Sequence, residues 1–184
     1  MTINIQPILE NDNTILLPLL PQDFEELYAI ASDPKIWEQH PNKNRWQKEE
    51  FLNFFQGAIE SKGAFKIFHI PTNAVVGSTR FYDYDPEKNS ILIGYTFFNT
   101  ASWGKNINLA VKKQMLDHIF RYVSTVLFHV GSNNIRSQKA MNRLGSEKIG
   151  EVEVAYFGEA PKLNFVYRIT KHNWINSNRN RNAN

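Results

Sequence analysis

The chain has 184 residues, 42% of them hydrophobic and 13% aromatic, enough for one folded domain with a real core. It has no cysteine, which excludes a disulfide framework, a cysteine-based metal site and a thiol nucleophile, and no apolar run approaches the ~20 residues of a membrane span. The net charge of +3 is not gathered into one run, so nucleic acid is not an expected partner.

The first residues, MTINIQPILEND, show no basic segment followed by an apolar core. No secretion signal is expected and a cytoplasmic location is the default. Thr14 to Leu20 reads as a short strand, with Pro18 suggesting a sheet edge. Pro21-Gln22-Asp23 opens a helix that runs to about Ala31, with Phe24, Leu27, Tyr28 and Ala31 on one stripe. Residues 34–45 form a loop that carries Trp37 and His40. A second helix spans roughly Gln47 to Ser61, with Phe51, Phe55, Ala58 and Ile59 at helical spacing, and Gly63 ends it.

A β-meander follows: Ala64 to Ile70, Ala74 to Tyr84 and Ser90 to Phe98. The last of these runs into a polar turn, Asn99 to Ser102, then Trp103, Gly104, Lys105 and Asn106. A helix starts at once, from about Asn106 to Tyr122, burying Ile107, Ala110, Val111, Met115, Ile119 and Val123. The first N–H groups of such a helix have no partner inside it and its dipole is positive there, so the junction suits a phosphate or pyrophosphate. Gly104 permits close backbone approach, Asn106 tolerates positive φ, and Lys105 adds charge. Without a ligand the same residues are a plain strand-to-helix turn.

Thr125 to Gly131 is the next strand, which makes strand–helix–strand a parallel crossover. Asn134 to Leu144 is a helix with Ala140, Met141 and Leu144 inward, closed by Gly145. Lys148 to Tyr156 and Leu163 to Thr170 are the last strands, joined by the turn GEAPK. Residues 1–175 are therefore expected to form one α/β domain with a mixed sheet, and 176–184 a polar, disordered tail. A ligand belongs beside the carboxyl end of the central strand, where the crossover begins.

Three stretches together resemble one family. TILLPLLPQDFEELYAIASDPKIW resembles the opening of the ribosomal-protein N-terminal acetyltransferase branch of the GNAT superfamily. GYTFFNTASWGKNINLAVKKQMLDHIF looks like its acetyl-CoA loop and helix, and NNIRSQKAMNRLG is similar to its Asn-x-x-Ser pattern. The likeness covers about residues 12 to 174. It implies a mostly antiparallel sheet of about seven strands, helices on both faces and a splayed central pair. It also implies acetyl-CoA as acyl donor, with no metal, and a primary amine as acceptor (a protein N-terminus, an amino acid or a small amine), on a monomer or homodimer. Backbone N–H groups of Trp103, Gly104, Lys105, Asn106, Ile107 and Asn108 would hold the pyrophosphate. Phe97, Phe98 and Asn99 would pair with the pantetheine arm, and Asn134 and Ser137 would contact it. The plain reading of the last two is a helix cap and a first-turn residue.

The departures concern catalysis. Asn106 stands where the family loop has a second glycine. Leu92 stands where many relatives carry glutamate before Ile-Gly, Ala110 where another often sits, and Met141 near the tyrosine used elsewhere as general acid. The implied reaction is direct attack of a neutral amine on the thioester, helped by proximity and by an N–H donor for the oxyanion, Phe97 or Phe98. Asp83 and Asp85 could serve as acid or base, or simply end a strand in water. His129 could act too, while Trp37, His40 and Tyr82 could wall the acceptor pocket. A non-catalytic module that binds acyl-CoA as a sensor is the alternative.

Overall fold

Adjacent residues of one strand, Phe97 and Phe98, are both buried but belong to different hydrophobic clusters. Side chains alternate across a sheet, so the two clusters lie on its two faces. A computed structural model of the chain describes residues 3–156 and 159–182. The sheet has eight strands in the order β1-β2-β3-β4-β5-β6-β8-β7. They are β1 (Leu9–Glu10), β2 (Thr14–Pro18), β3 (Ala64–His69), β4 (Ala74–Asp85), β5 (Ser90–Phe98), β6 (Thr125–Gly131), β7 (Glu147–Val154) and β8 (Lys162–Thr170). Every pairing is antiparallel except β5 with β6. The eighth strand, beyond the expected seven, is the two-residue β1. It covers only Ile15 and Leu16 of β2, so Pro18 stands past the covered part of that edge.

The helices α1 (Phe24–Ala31) and α2 (Lys48–Glu60) bury Leu27, Ala31, Phe51 and Phe55 on one face, together with Trp37 and Phe97. On the other face lie α3 (Ile107–Ile119) and α4 (Ile135–Leu144), with Val111, Met115, Met141 and Leu144 against Phe81, Ile93 and Phe98. The last helix, α5 (Lys171–Asn182), occupies much of the stretch expected to be a disordered tail. Its first turns are anchored by buried Trp174, whose Nε1–H donates to Asp117 Oδ1 at 2.6 Å. Residues 183–184 and the first residue of the GEAPK turn lie outside the described residues.

Two irregularities shape the centre. β5 and β6 pair only at Ser90–Leu92 and Thr125–Leu127. Beyond that, β5 stays with β4 while β6 follows β8, and the two diverge. On β5, Ser78↔Phe97 is followed by Arg80↔Gly94: three steps on β5 against two on β4. The extra residue is a β-bulge at Tyr95–Thr96, with Tyr95 at φ 52°, and it bends the strand away from its neighbour. A second bulge, on β4, has Asp83 at φ 48°.

Next to the first bulge, β4 and β5 touch backbone to backbone. A Cβ on Gly77 would stand 2.0 Å from the Phe97 carbonyl oxygen, whereas one on Gly150 would meet nothing within 4 Å. Gly77→Ala is expected to destabilise the fold by about 1–3 kcal/mol, as overpacking does. Gly150→Ala should stay within about 0.5 kcal/mol. Urea unfolding of both variants checks the contrast.

Candidate active site

The gap between β5 and β6 opens into a cleft of about 530 Å³. At one end, the loop leaving β5 is closed by its own side chains: Asn99 Oδ1 accepts the Ser102 N–H at 3.0 Å, and the Asn99 N–H donates to the Val76 carbonyl at 2.8 Å. Two left-handed residues then bracket Lys105, Gly104 at φ 77° and Asn106 at φ 59°. Asn106 is the N-cap of α3 and supplies no side-chain cap, which leaves the first N–H groups of the helix open. A Cβ on Gly104 would meet nothing within 4 Å, so the space beside the loop is empty of protein. Asn108, in the first turn of α3, lines the cleft, and its buried Oδ1 has no hydrogen-bond partner among the described residues.

The facing wall is the start of α4. Asn134 is buried and its Oδ1 accepts the Ser137 N–H at 3.0 Å, so it caps the helix while lining the cleft. The Arg136 guanidinium lies 3.9 Å from the Trp103 ring centroid and its Nη2 donates to the Ile36 carbonyl at 3.0 Å, tying α4 to the loop of β5 and to the segment after α1. The wall carries the cations Arg45, Arg136, Lys139 and Arg143, with the buried Lys112 between them, and, among the described residues, no aspartate or glutamate. A single-sign wall of this kind attracts polyanions and disfavours cations.

The other end of the cleft is aromatic. The Tyr95 ring meets Tyr82 edge-on at 4.9 Å and Tyr156 at 5.4 Å. Burial raises all three phenols above their ordinary range, so they are neutral. Behind them sit two buried arginines. Arg45 bonds Glu159 Oε1 through Nε and Nη2 and stacks near Phe54 at 4.8 Å. Arg80 has its guanidinium 3.3 Å from the Tyr95 centroid. His40 is pushed down to about 3 by burial and by Arg45 and Arg136. Burial also lowers His129, against the opposing pull of Asp83. Both imidazoles are therefore neutral at neutral pH.

The family model for the acetyltransferase (GNAT) domain matches residues 13–147. The chain belongs to the GNAT acetyltransferase family. Among solved structures, a GCN5-related N-acetyltransferase from Brucella melitensis aligns with a TM-score of 0.79 at 17% identity, over 92% of this chain and 81% of that one. The ribosomal-protein-S5-alanine acetyltransferase of Vibrio fischeri aligns at 0.67 and 14% identity, over 92% and 99%. The microcin C7 self-immunity acetyltransferase MccE, solved with acetyl-CoA and AMP, aligns at 0.71 and 15% identity, over 87% and 93%. At these identities the likeness is one of fold. None of the curated proteins matches the chain in sequence.

Within this GNAT fold, the residues singled out from the sequence separate into two groups. Phe97 and Phe98 line the cleft from β5; Trp103, Gly104, Asn106, Ile107 and Asn108 from the loop and α3; Asn134 and Ser137 from α4. His40 and Tyr82 line its aromatic end. Asn99, Lys105, Trp37, Asp83 and Asp85 stand outside its wall. Trp37 is fully buried and donates Nε1–H to the Ala31 carbonyl at 2.7 Å. Asp85 closes its own turn, accepting the N–H groups of Glu87 and Lys88 at 3.0 Å, and the Lys88 ammonium holds its carboxyl below the usual range. Asp83 is exposed at the β4 bulge.

Wall residues that the sequence reading did not single out include Arg45, Tyr95, Lys112 and Tyr156, and Arg136, Lys139 and Arg143 of α4. Only Lys112 left a signal. It sits four residues before Leu116 and seven before Ile119, on the apolar stripe of α3 where a lysine does not belong. It is 3% exposed, and Nζ donates to Thr79 Oγ1 at 2.9 Å and Thr96 Oγ1 at 2.6 Å. With no carboxylate beside it, burial pushes Lys112 down to about 7. Lys66 is the contrast: it bonds Asp23 and Glu26 and is raised.

A lysine with a depressed folded-state pKa binds fewer protons folded than unfolded between those two values, so stability rises with pH across that window. Stability should therefore climb from about pH 7 towards 10, and Lys112→Met should remove that part of the slope. Chemical denaturation at stepped pH reads it directly.

Proposed function

We propose that the protein is an acetyl-CoA-dependent N-acetyltransferase that passes the acetyl group directly to a primary amine, in the manner of the ribosomal-protein N-terminal acetyltransferases. The observation that carries this reading is the cleft itself. It runs from an uncapped helix N-terminus, beside a left-handed glycine with open space, along the edge of β5 that β6 has left. The likeness in fold to MccE, solved with acetyl-CoA, and to the S5-alanine enzyme supports the donor and the branch.

The α3 N–H groups and the backbone from Trp103 to Asn108 hold the pyrophosphate, with Lys139 and Arg143 of the wall adding positive charge. Asn134 and Ser137 contact the pantetheine arm, which pairs along Phe97 and Phe98. One of those two N–H groups takes the charge of the developing oxyanion. Bound acetyl-CoA supplies an activated thioester carbonyl. The rest is done by the chain. The three tyrosines shape the acceptor end and limit its water. The cationic wall favours the neutral amine over the ammonium ion, so an acceptor of pKa ~8, an α-amine, arrives ready to attack, while an ordinary lysine near 10.4 does not. The proton then leaves to water or a backbone carbonyl.

A non-catalytic acyl-CoA sensor is the second reading, because Leu92 and Met141 are buried apolar groups at positions where relatives carry ionisable ones. Release of free CoA thiol from acetyl-CoA across a panel of amines separates the two. Turnover is expected, with a pH profile that moves with the pKa of the acceptor. Asp83→Asn, Asp85→Asn and His129→Gln should each keep most of the rate. A loss of ~10²–10⁴-fold from one of them, the range of a true general base, would overturn the base-free mechanism. No thiol release with any amine would favour the sensor.

Acetyl-CoA at ~100 times its Kd should stabilise the fold by about 2.7 kcal/mol. Gly104→Val should abolish that stabilisation, because a β-branched residue opposes φ 77° and its side chain fills the space beside the loop. Asn106→Gly should preserve it. Thermal melts with and without ligand report both.

A further inference from the structure

We propose that Lys112 is itself an acetyl acceptor, a self-modification site whose Nζ takes the acetyl group from acetyl-CoA held in the cleft. The inference rests on the N-acetyltransferase reading above and extends it to this chain's own side chain.

Four observations carry it. First, Lys112 lines the cleft while being 97% buried from solvent, its exposed fraction being 3%. Second, its Nζ lies 2.6 Å from Thr96 Oγ1, and Thr96 directly precedes the β5 residues that offer the oxyanion donors. Third, its hydrogens are directed. Thr96 Oγ1 gives its own hydrogen to the Gly94 carbonyl at 3.2 Å, and Thr79 Oγ1 lies 2.8 Å from Thr96 Oγ1, so both hydroxyl oxygens can accept from the lysine. A neutral amine with two hydrogens so engaged keeps its lone pair in the remaining tetrahedral direction. Fourth, no acidic side chain lines the cleft among the described residues, so no opposite charge there holds the ammonium form against its desolvation. Burial accordingly brings its pKa to about 7, which makes the amine available at neutral pH.

The two nucleophiles come from different sides. Tyr95 packs on the α1–α2 cluster, the acceptor side, whereas Lys112 reaches Thr79 beside Met115 of the α3 cluster. A planar thioester carbonyl has two faces. In the self-reaction Nζ attacks the carbonyl carbon, a C–N bond forms, the C–S bond breaks, and the proton lost by nitrogen goes to the departing thiolate, so CoA leaves as the thiol. The product is a neutral amide with one hydrogen left on nitrogen. It can donate to only one of the two threonines and adds an acetyl group to the cleft wall. The reaction is therefore self-limiting and would weaken later donor binding.

The test incubates the purified full chain with acetyl-CoA, maps acetylated peptides by mass spectrometry over time, and measures acetyl-CoA binding by calorimetry on the same preparation. The expected result is acetyl on Lys112 ahead of exposed lysines such as Lys43 and Lys62, with no such preference in urea-unfolded chain. Lys112→Arg should bind acetyl-CoA and gain no acetyl group at that position. If acetyl-CoA binds and Lys112 stays unmodified, or is modified no faster than in unfolded chain, the inference falls and the N-acetyltransferase reading stands. If acetyl-CoA does not bind, both fall.

Discussion

The site depends on one constraint, the early parting of two central strands. β5 and β6 share only three paired positions, and the bulge at Tyr95–Thr96 gives β5 a bend that β6 does not copy. Buried backbone polar groups need partners. A strand edge left unpaired deep inside a domain is tolerated only where something else can occupy it, and an extended amide-bearing chain is the natural occupant. The rest of the architecture keeps the gap open. β4 grips β5 so closely that Gly77 has no room for a side chain. α3 and α4 meet its mouth, and Lys112 ties α3 to both sides of the bulge through Thr79 and Thr96.

Charge is distributed along the gap in a way that suits both reactants of the proposed transfer. A donor rich in phosphate gains from arginines and lysines on the wall. An amine acceptor must lose its proton before it can attack, and the same cations make the ammonium form costly. The usual device, a carboxylate base, is absent among the described residues of the wall. The imidazoles of His40 and His129 and the phenols of Tyr82, Tyr95 and Tyr156 are all held neutral by burial. In the proposed transfer the site works through environment more than through a titrating group, and burial in that same environment lowers Lys112.

Much of this was legible in the sequence because it rests on local rules. The strand from Ser90 to Phe98, the left-handed tolerance of Asn106 and the capping role of Asn134 are short-range properties of residue type and spacing. The helix from Lys171 was not legible, because its polar stretch is held by long-range contacts, Trp174 on Asp117 and Phe120 and the Lys171 N–H on the Ser124 carbonyl. Asp83 and Asp85 looked like site residues because they end a strand beside the central one. The β4 bulge and the Lys88 turn instead leave them outside the cleft wall, a consequence of register that alternation alone does not encode. Tyr156 and Arg45 come together with Glu159 and Phe54 across more than a hundred residues, which no motif in one segment reports.

The central claim is that acyl donor occupies the gap between β5 and β6. A crystal structure of the protein grown with CoA tests it most directly. The account predicts pyrophosphate density at the N–H groups of Trp103 to Asn108, with the pantetheine arm running along Phe97 and Phe98 in the space that β6 has vacated. CoA bound at another surface, with that gap filled by protein or water, would contradict it.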